Sequence, residues 1–127
     1  MDMFRAGLLT LALVSLECAH GTRQEPISFS KDVRPILKEN CVLCHSAEVR
    51  MGGVALDSFE HLMSSRYLNR PTPFVIPGDP NRSRLVIVVH TSNAELRMPP
   101  ATSGLHPLGQ ESILVIRRWI EEGAQDN

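Results

Sequence analysis

At 127 residues the chain has room for one domain, and 43% hydrophobic with 21% charged residues is the composition of a soluble globular protein rather than a disordered tail. A formal net charge of -1 offers no basic surplus for nucleic acid or an anionic membrane surface. Aromatic residues are few (four Phe, one Tyr, one Trp), so the core is expected to hold aliphatic side chains or something that is not protein. A domain this small gains from a cofactor that adds apolar surface to its interior.

Residues 1–21 read as an export signal, leaving 22–127 as the single domain. Arg5 supplies a short basic region, weakened by Asp2, and Gly7 to Leu16 is an apolar run too short to span a bilayer comfortably. Ala19-His20-Gly21 puts small residues where a peptidase cuts, so cleavage is expected after Gly21. A buried N-terminal helix or an uncleaved anchor is the alternative. Cys18 raises lipid attachment, but Glu17 is large and charged where a lipoprotein signal wants a small residue, and membrane contact is expected only if Cys18 is lipidated. Cleavage removes Arg5, Asp2 and Glu17, which takes 13 basic and 14 acidic residues to 12 of each and leaves a neutral chain.

Thr22 to Ser28 reads as a mobile lead-in. A first helix is expected from Ser30 or Asp32, with Val33, Ile36 and Leu37 on one apolar face, Asp32 as the N-cap and Pro35 in the tolerant first turn. It leads straight into Cys41-Val42-Leu43-Cys44-His45. Gly52-Gly53 then breaks the chain, and Asp57 is placed to cap a short helix through Met63. Residues 64–78, with Pro71, Pro73, Pro77 and Gly78, read as loop, and Asp79-Pro80 as a helix start. The aliphatic run Leu85 to Val89 suits either a buried strand or a helix, and the preceding cap favours helix. Thr91 to Pro107 forms a second long loop. The last helix, Gln110 to Glu122, carries an Ile113, Ile116, Ile120 stripe and stops at Gly123.

The chemistry is concentrated in Cys41, Cys44 and His45. On a helix, positions i, i+3 and i+4 share one face, so both sulfurs and the imidazole point the same way. That is what covalent haem attachment requires: two thiols add to the porphyrin vinyl groups and the histidine becomes the proximal iron ligand. The export signal agrees, because this attachment takes place outside the cytoplasm. A disulfide across so short a loop would be strained, a structural zinc site would want a second Cys or His pair, and a thioredoxin-like pair would follow a strand in an alternating strand–helix pattern. The chain has neither that pair nor that pattern.

A sixth iron ligand must come from elsewhere, and Met51, Met63, Met98, His61, His90 and His106 are the candidates. Met98 lies in a loop far enough along the chain to reach the opposite haem face, and Pro99-Pro100 stiffens the backbone just after it. Met51 follows His45 too closely to cross the porphyrin comfortably, while His61 and Met63 fall on a helix, where Met is more often core filler. His90 is the main rival. Arg66, Arg70, Arg82, Arg84 and Arg97 are candidates to pair with haem propionates or a partner, against the plainer reading of solvated surface residues.

In order along the chain, Phe29, Val33-Arg34-Pro35-Ile36-Leu37, Cys41 to His45, Gly52-Gly53, Leu56-Asp57, Pro77-Gly78-Asp79-Pro80, Ser83, Leu85, Met98-Pro99-Pro100, Trp119-Ile120 and Gly123-Ala124 resemble the planctomycete-type c-cytochrome domain of the class I cytochrome c superfamily. The attachment motif, Pro77 to Pro80 and Met98 to Pro100 are its specific parts. The resemblance implies an all-α, small cytochrome c-like fold of about four helices wrapped around one covalent haem c, with first and last helices crossing near one haem edge. It makes His45 and Met98 the axial iron ligands. In that family the domain often precedes large domains. This sequence stops at Asn127, so a function of that kind is expected to be absent or to belong to a separate protein.

The expected function is that of an exported, periplasmic monohaem cytochrome passing single electrons between redox partner proteins, not an enzyme. His/Met ligation saturates the iron and raises its potential relative to bis-His ligation. The cytochrome c maturation machinery is an expected partner; nucleic acid is not. The alternative is a haem enzyme or gas sensor with a labile or absent sixth ligand, but His90 and His106 lack a carboxylate or Arg partner in sequence for peroxide chemistry. A third reading is a non-haem module in which Cys41 and Cys44 hold a metal.

Overall fold

A computed structural model of the chain describes residues 24–127, so the expected signal peptide over 1–21 and Cys18 lie outside the described residues. Four α-helices and no strand are found among them: α1 (Arg34–Asn40), α2 (Phe59–Ser64), α3 (Arg84–His90) and α4 (Gln110–Glu121). The class is therefore all-α, as expected. An isolated antiparallel bridge joins His45 and Arg50.

The chain enters α1 through a wide π-type turn, Phe29–Val33, and the N-cap is Ser28 rather than Asp32. The Ser28 hydroxyl accepts the Lys31 N–H at 3.3 Å, and the Asp32 carboxylate reaches back to accept the Ser28 N–H at 2.7 Å. Serine in an extended conformation meets the needs of a helix start that a residue already inside the turn cannot. The stretch before it, expected to be mobile, is pinned. Arg118 donates to the Glu25 carbonyl at 2.7 Å, and the Ile27 N–H donates to Glu122 at 2.7 Å. Arg118 and Glu122 also pair with each other at 2.6 Å.

Two other helix starts differ from expectation. Ser58, not Asp57, caps α2, its hydroxyl accepting the His61 N–H at 3.1 Å. Asp79-Pro80 opens a single turn in which Asp79 accepts the Arg82 N–H at 3.0 Å, and α3 begins only at Arg84. The interruption is Ser83, which is fully buried and extended. Its hydroxyl accepts the Ile76 N–H at 2.8 Å and lies 2.8 Å from the Asp79 carbonyl, tying the loop down before the helix can run on. Leu85 to Val89 is helical, with Leu85, Val86, Val88 and Val89 buried.

The core runs between α4, α3 and the opening turn. Ile113, Ile116, Trp119 and Ile120 of α4 are buried, and α4 packs against α3 and the 29–33 turn that feeds α1. The core is not purely aliphatic. Phe29, Phe59 and Trp119 stack with ring centroids 5.3, 5.4 and 6.4 Å apart, joining the opening turn, α2 and α4. Few aromatics suffice when the chain brings them to one place, because such pairs add about 0.5–1.5 kcal/mol beyond their area. The Trp119 indole N–H donates to the Gln125 carbonyl at 2.9 Å. The second buried serine, Ser65, joins α2 to the 54–56 segment: its hydroxyl accepts the Ala55 N–H at 2.9 Å and lies within reach of the Ala55 and His61 carbonyls. No helix among the described residues is long and apolar enough to cross a membrane.

Candidate haem site

The attachment motif lies just past the C-terminus of α1 instead of on a helix. Cys41 is the C-cap, and the following turn is closed by Cys44 N–H and His45 N–H donating to the Cys41 carbonyl at 3.1 and 2.9 Å. The turn keeps the i, i+3, i+4 relation over its one winding, so the three side chains still gather. His45 is then held from the other side. Its carbonyl accepts the Leu56 N–H at 2.7 Å, and the Cys44 carbonyl accepts the Met51 N–H at 3.3 Å.

A cleft of about 230 Å³ opens between this turn and the two long loops, lined by Cys44, His45, Met51, Gly52, Tyr67, Met98 and Pro100. A smaller recess of about 40 Å³ shares Cys44, His45, Met98 and Pro100 with it and adds Cys41, Asn40 and Leu105. Met98 is thus brought to the attachment motif, anchored by its own N–H donating to the Val88 carbonyl of α3 at 2.8 Å. The other ligand candidates are placed differently. His90 and His106 are exposed and line neither cavity, Met63 packs against the core, and His61 pairs through Nδ1 with Asp57 at 2.9 Å. Met51 does line the cleft, although it is 57% exposed.

The residues present suit a haem. Cys41 and Cys44 are free thiols. Burial, with Cys44 beside it, pushes the Cys41 thiol up to about 12, so it stands protonated at neutral pH. Nδ1 of His45 is buried with no hydrogen-bond partner, so no neighbouring protein group ties up the imidazole through that nitrogen. The cleft is smaller than the roughly 300–1,000 Å³ of typical small-molecule sites, and the recess that continues it past Cys41 adds about 40 Å³. Among the described residues no three His, Cys, Asp or Glu side chains gather as a metal-binding group.

Sequence reasoning missed the far wall. Tyr67 lines the cleft, and a Cβ built on Gly52 would stand 3.2 Å from its Cε2. On its other side the Arg84 guanidinium stacks over the Tyr67 ring, 4.1 Å from the centroid. The only local signal was Gly52 itself, which hints at a close approach without naming the partner. Nearby, Asp57 ties the post-motif loop to α2 by accepting the Ala47 N–H at 3.1 Å. Desolvation works to raise its carboxyl, but the hydrogen bonds from Ala47 and His61 and the attraction of His61 outweigh it, and the net shift is downward.

An all-helical domain whose Cys-x-x-Cys-His turn shares an apolar cleft with a methionine from a distant loop has the layout of a cytochrome c-type domain. The model of the family described as Planctomycete cytochrome C matches residues 41–102, and over that stretch the chain is similar to this family. A domain of this family is that of a c-type cytochrome and implies haem c. No curated protein and no solved structure matches the chain.

Proposed function

We propose that the protein is an exported, periplasmic monohaem cytochrome that carries single electrons between redox partner proteins. Cys41 and Cys44 hold the haem through thioethers, and His45 and Met98 ligate its iron. The observation that carries this reading is the meeting of Met98 with Cys44 and His45 on one cleft and with Cys41 in the recess beside it. Haem supplies the one-electron couple. The chain fixes the backbone of His45 by its N–H donating to the Cys41 carbonyl and its carbonyl accepting the Leu56 N–H, presents the Met98 thioether from the loop after α3, and lines the cleft mostly with apolar surface. A ligand-saturated iron undergoes little rearrangement on gaining or losing an electron, which suits a carrier and leaves no position for substrate.

The test is an absorption spectrum of the purified mature protein, oxidised and reduced, followed by extraction into acidic organic solvent. A low-spin c-type spectrum whose haem stays with the polypeptide is expected. Haem that extracts fully ends the thioether assignment, and a high-spin spectrum that binds carbon monoxide readily favours a gas sensor or haem enzyme instead. Absence of haem from protein exported with the attachment machinery leaves the metal-holding module.

A further inference from the structure

Two hydrogen bonds in succession join His45 and the chain just after it to residues 56 and 57. The Leu56 N–H donates to the His45 carbonyl at 2.7 Å, and the Ala47 N–H donates to Asp57 Oδ2 at 3.1 Å. Among the described residues, Asp57 is the one side chain from outside residues 41–50 that hydrogen-bonds into them. Its other oxygen, Oδ1, lies 2.9 Å from His61 Nδ1 on α2, so the carboxylate is braced where it meets Ala47. The stretch it stands on is fixed as well: Val54, Ala55 and Leu56 are buried, and the Ser65 hydroxyl accepts the Ala55 N–H at 2.9 Å. A histidine that binds a metal is ordinarily oriented by a hydrogen bond at its second ring nitrogen. His45 lacks that brace, since its Nδ1 is buried with no partner. The direction of its ring therefore depends on how the backbone is held on either side. Before the ring, the His45 N–H donates to the Cys41 carbonyl at 2.9 Å; after it, the hold falls to Leu56 and Asp57.

We propose that Asp57, braced by His61, is a positioning residue that sets the orientation of the His45 imidazole through Ala47. Its consequence for the iron rests on the function proposed above; the orientation of the ring does not.

In the reduced, diamagnetic holoprotein, nuclear Overhauser contacts between the His45 ring protons and the haem meso protons give the plane of the imidazole. Asp57→Ala removes the acceptor and Asp57→Ser shortens it out of reach of Ala47. Both should turn that plane by more than about 10–20°, the tolerance within which supporting hydrogen bonds hold a site. Both should also speed exchange of the Ala47 amide by about tenfold or more. Asp57→Asn keeps an oxygen for Ala47 and an N–H for His61 Nδ1, and should preserve the wild-type plane. Ser58→Ala removes the N-cap of α2 without touching Ala47, so it should lower stability and leave the plane where it was. Circular dichroism reports the folding of each variant, and Asp57→Ser carries the test if Asp57→Ala does not fold. A wild-type plane in the Ala or Ser variant overturns the proposal, as does a rotation that Ser58→Ala or Asp57→Asn reproduces in full. A chain found without haem ends the proposed function alone. The three-bond couplings across the His45 Cα–Cβ bond then read the ring direction in the same variants, and wild-type couplings in Asp57→Ala or Asp57→Ser overturn the positioning role.

Discussion

Gly52 and Gly78 form a matched pair that isolates the contact between the cleft and its Tyr67 wall. Both sit in the left-handed region, at φ +65 and +78, but a Cβ at Gly52 meets Tyr67 Cε2 and Cδ2 at 3.2 and 3.3 Å, while one at Gly78 meets nothing within 4 Å. Alanine at either site costs about 1–2 kcal/mol for the left-handed backbone, offset by about 0.4–1 kcal/mol from a stiffer unfolded chain. Gly78→Ala should therefore lose about 1 kcal/mol, or roughly 4–8 °C in Tm for a domain of this size. Gly52→Ala should lose about 1–3 kcal/mol more, because carbon atoms prefer about 3.5–4.0 Å and the ring must give way. Urea unfolding of both variants measures the difference. In a Tyr67→Ala background the excess at Gly52 should vanish. Equal losses for the two glycines, or an excess that survives removal of the ring, would refute the claim that Gly52 is required by Tyr67.

Three further outcomes follow from the same geometry. Met98→Ala should lower the haem potential, abolish the weak near-infrared sulfur–iron band and open the iron to carbon monoxide, while Met51→Ala leaves all three unchanged; the reverse result transfers the ligand role to Met51. Ser65→Ala strands the Ala55 N–H in the core and should cost about 1–3 kcal/mol in urea unfolding, whereas a loss below half a kcal/mol would mean that the hydroxyl is dispensable. Asp57 has a folded carboxyl held below its unfolded value of about 3.9, so its contribution is fully present above that pH and fades as pH falls through the folded value. Asp57→Asn should accordingly flatten the acid limb of stability against pH, a shape that thermal melts between pH 2 and 6 resolve.

What could be read from the sequence was whatever is encoded within one turn or one repeat. The α4 stripe of Ile113, Ile116 and Ile120 announces itself by periodicity, and the attachment motif and Met98-Pro99-Pro100 by residue type and spacing. Caps were harder, since Asp57 and Ser58, or Asp79 and Ser83, are equally able to accept an N–H. The choice fell to tertiary demands: Asp57 is drawn off to Ala47, and Ser83 is buried against Ile76. The wall of the cleft was out of reach altogether. Tyr67 meets Gly52 and Arg84 only through the path of two loops, and no local pattern marks a stacking partner. The trio of Phe29, Phe59 and Trp119 is hidden for the same reason, being assembled from three segments that are neighbours only after folding.

Asn127 and the 27–30 segment meet. Its backbone carbonyl oxygen accepts the Ser30 N–H at 3.0 Å and the Ser28 hydroxyl at 2.8 Å, and its side chain accepts the Phe29 N–H at 2.8 Å. The segment between them is thus a cassette with both leads on one side, the geometry that lets a domain be spliced into a loop of another protein without pulling it open. A host loop would need to span only the gap across one hydrogen-bonded contact, and the domain would be carried on a short double stalk.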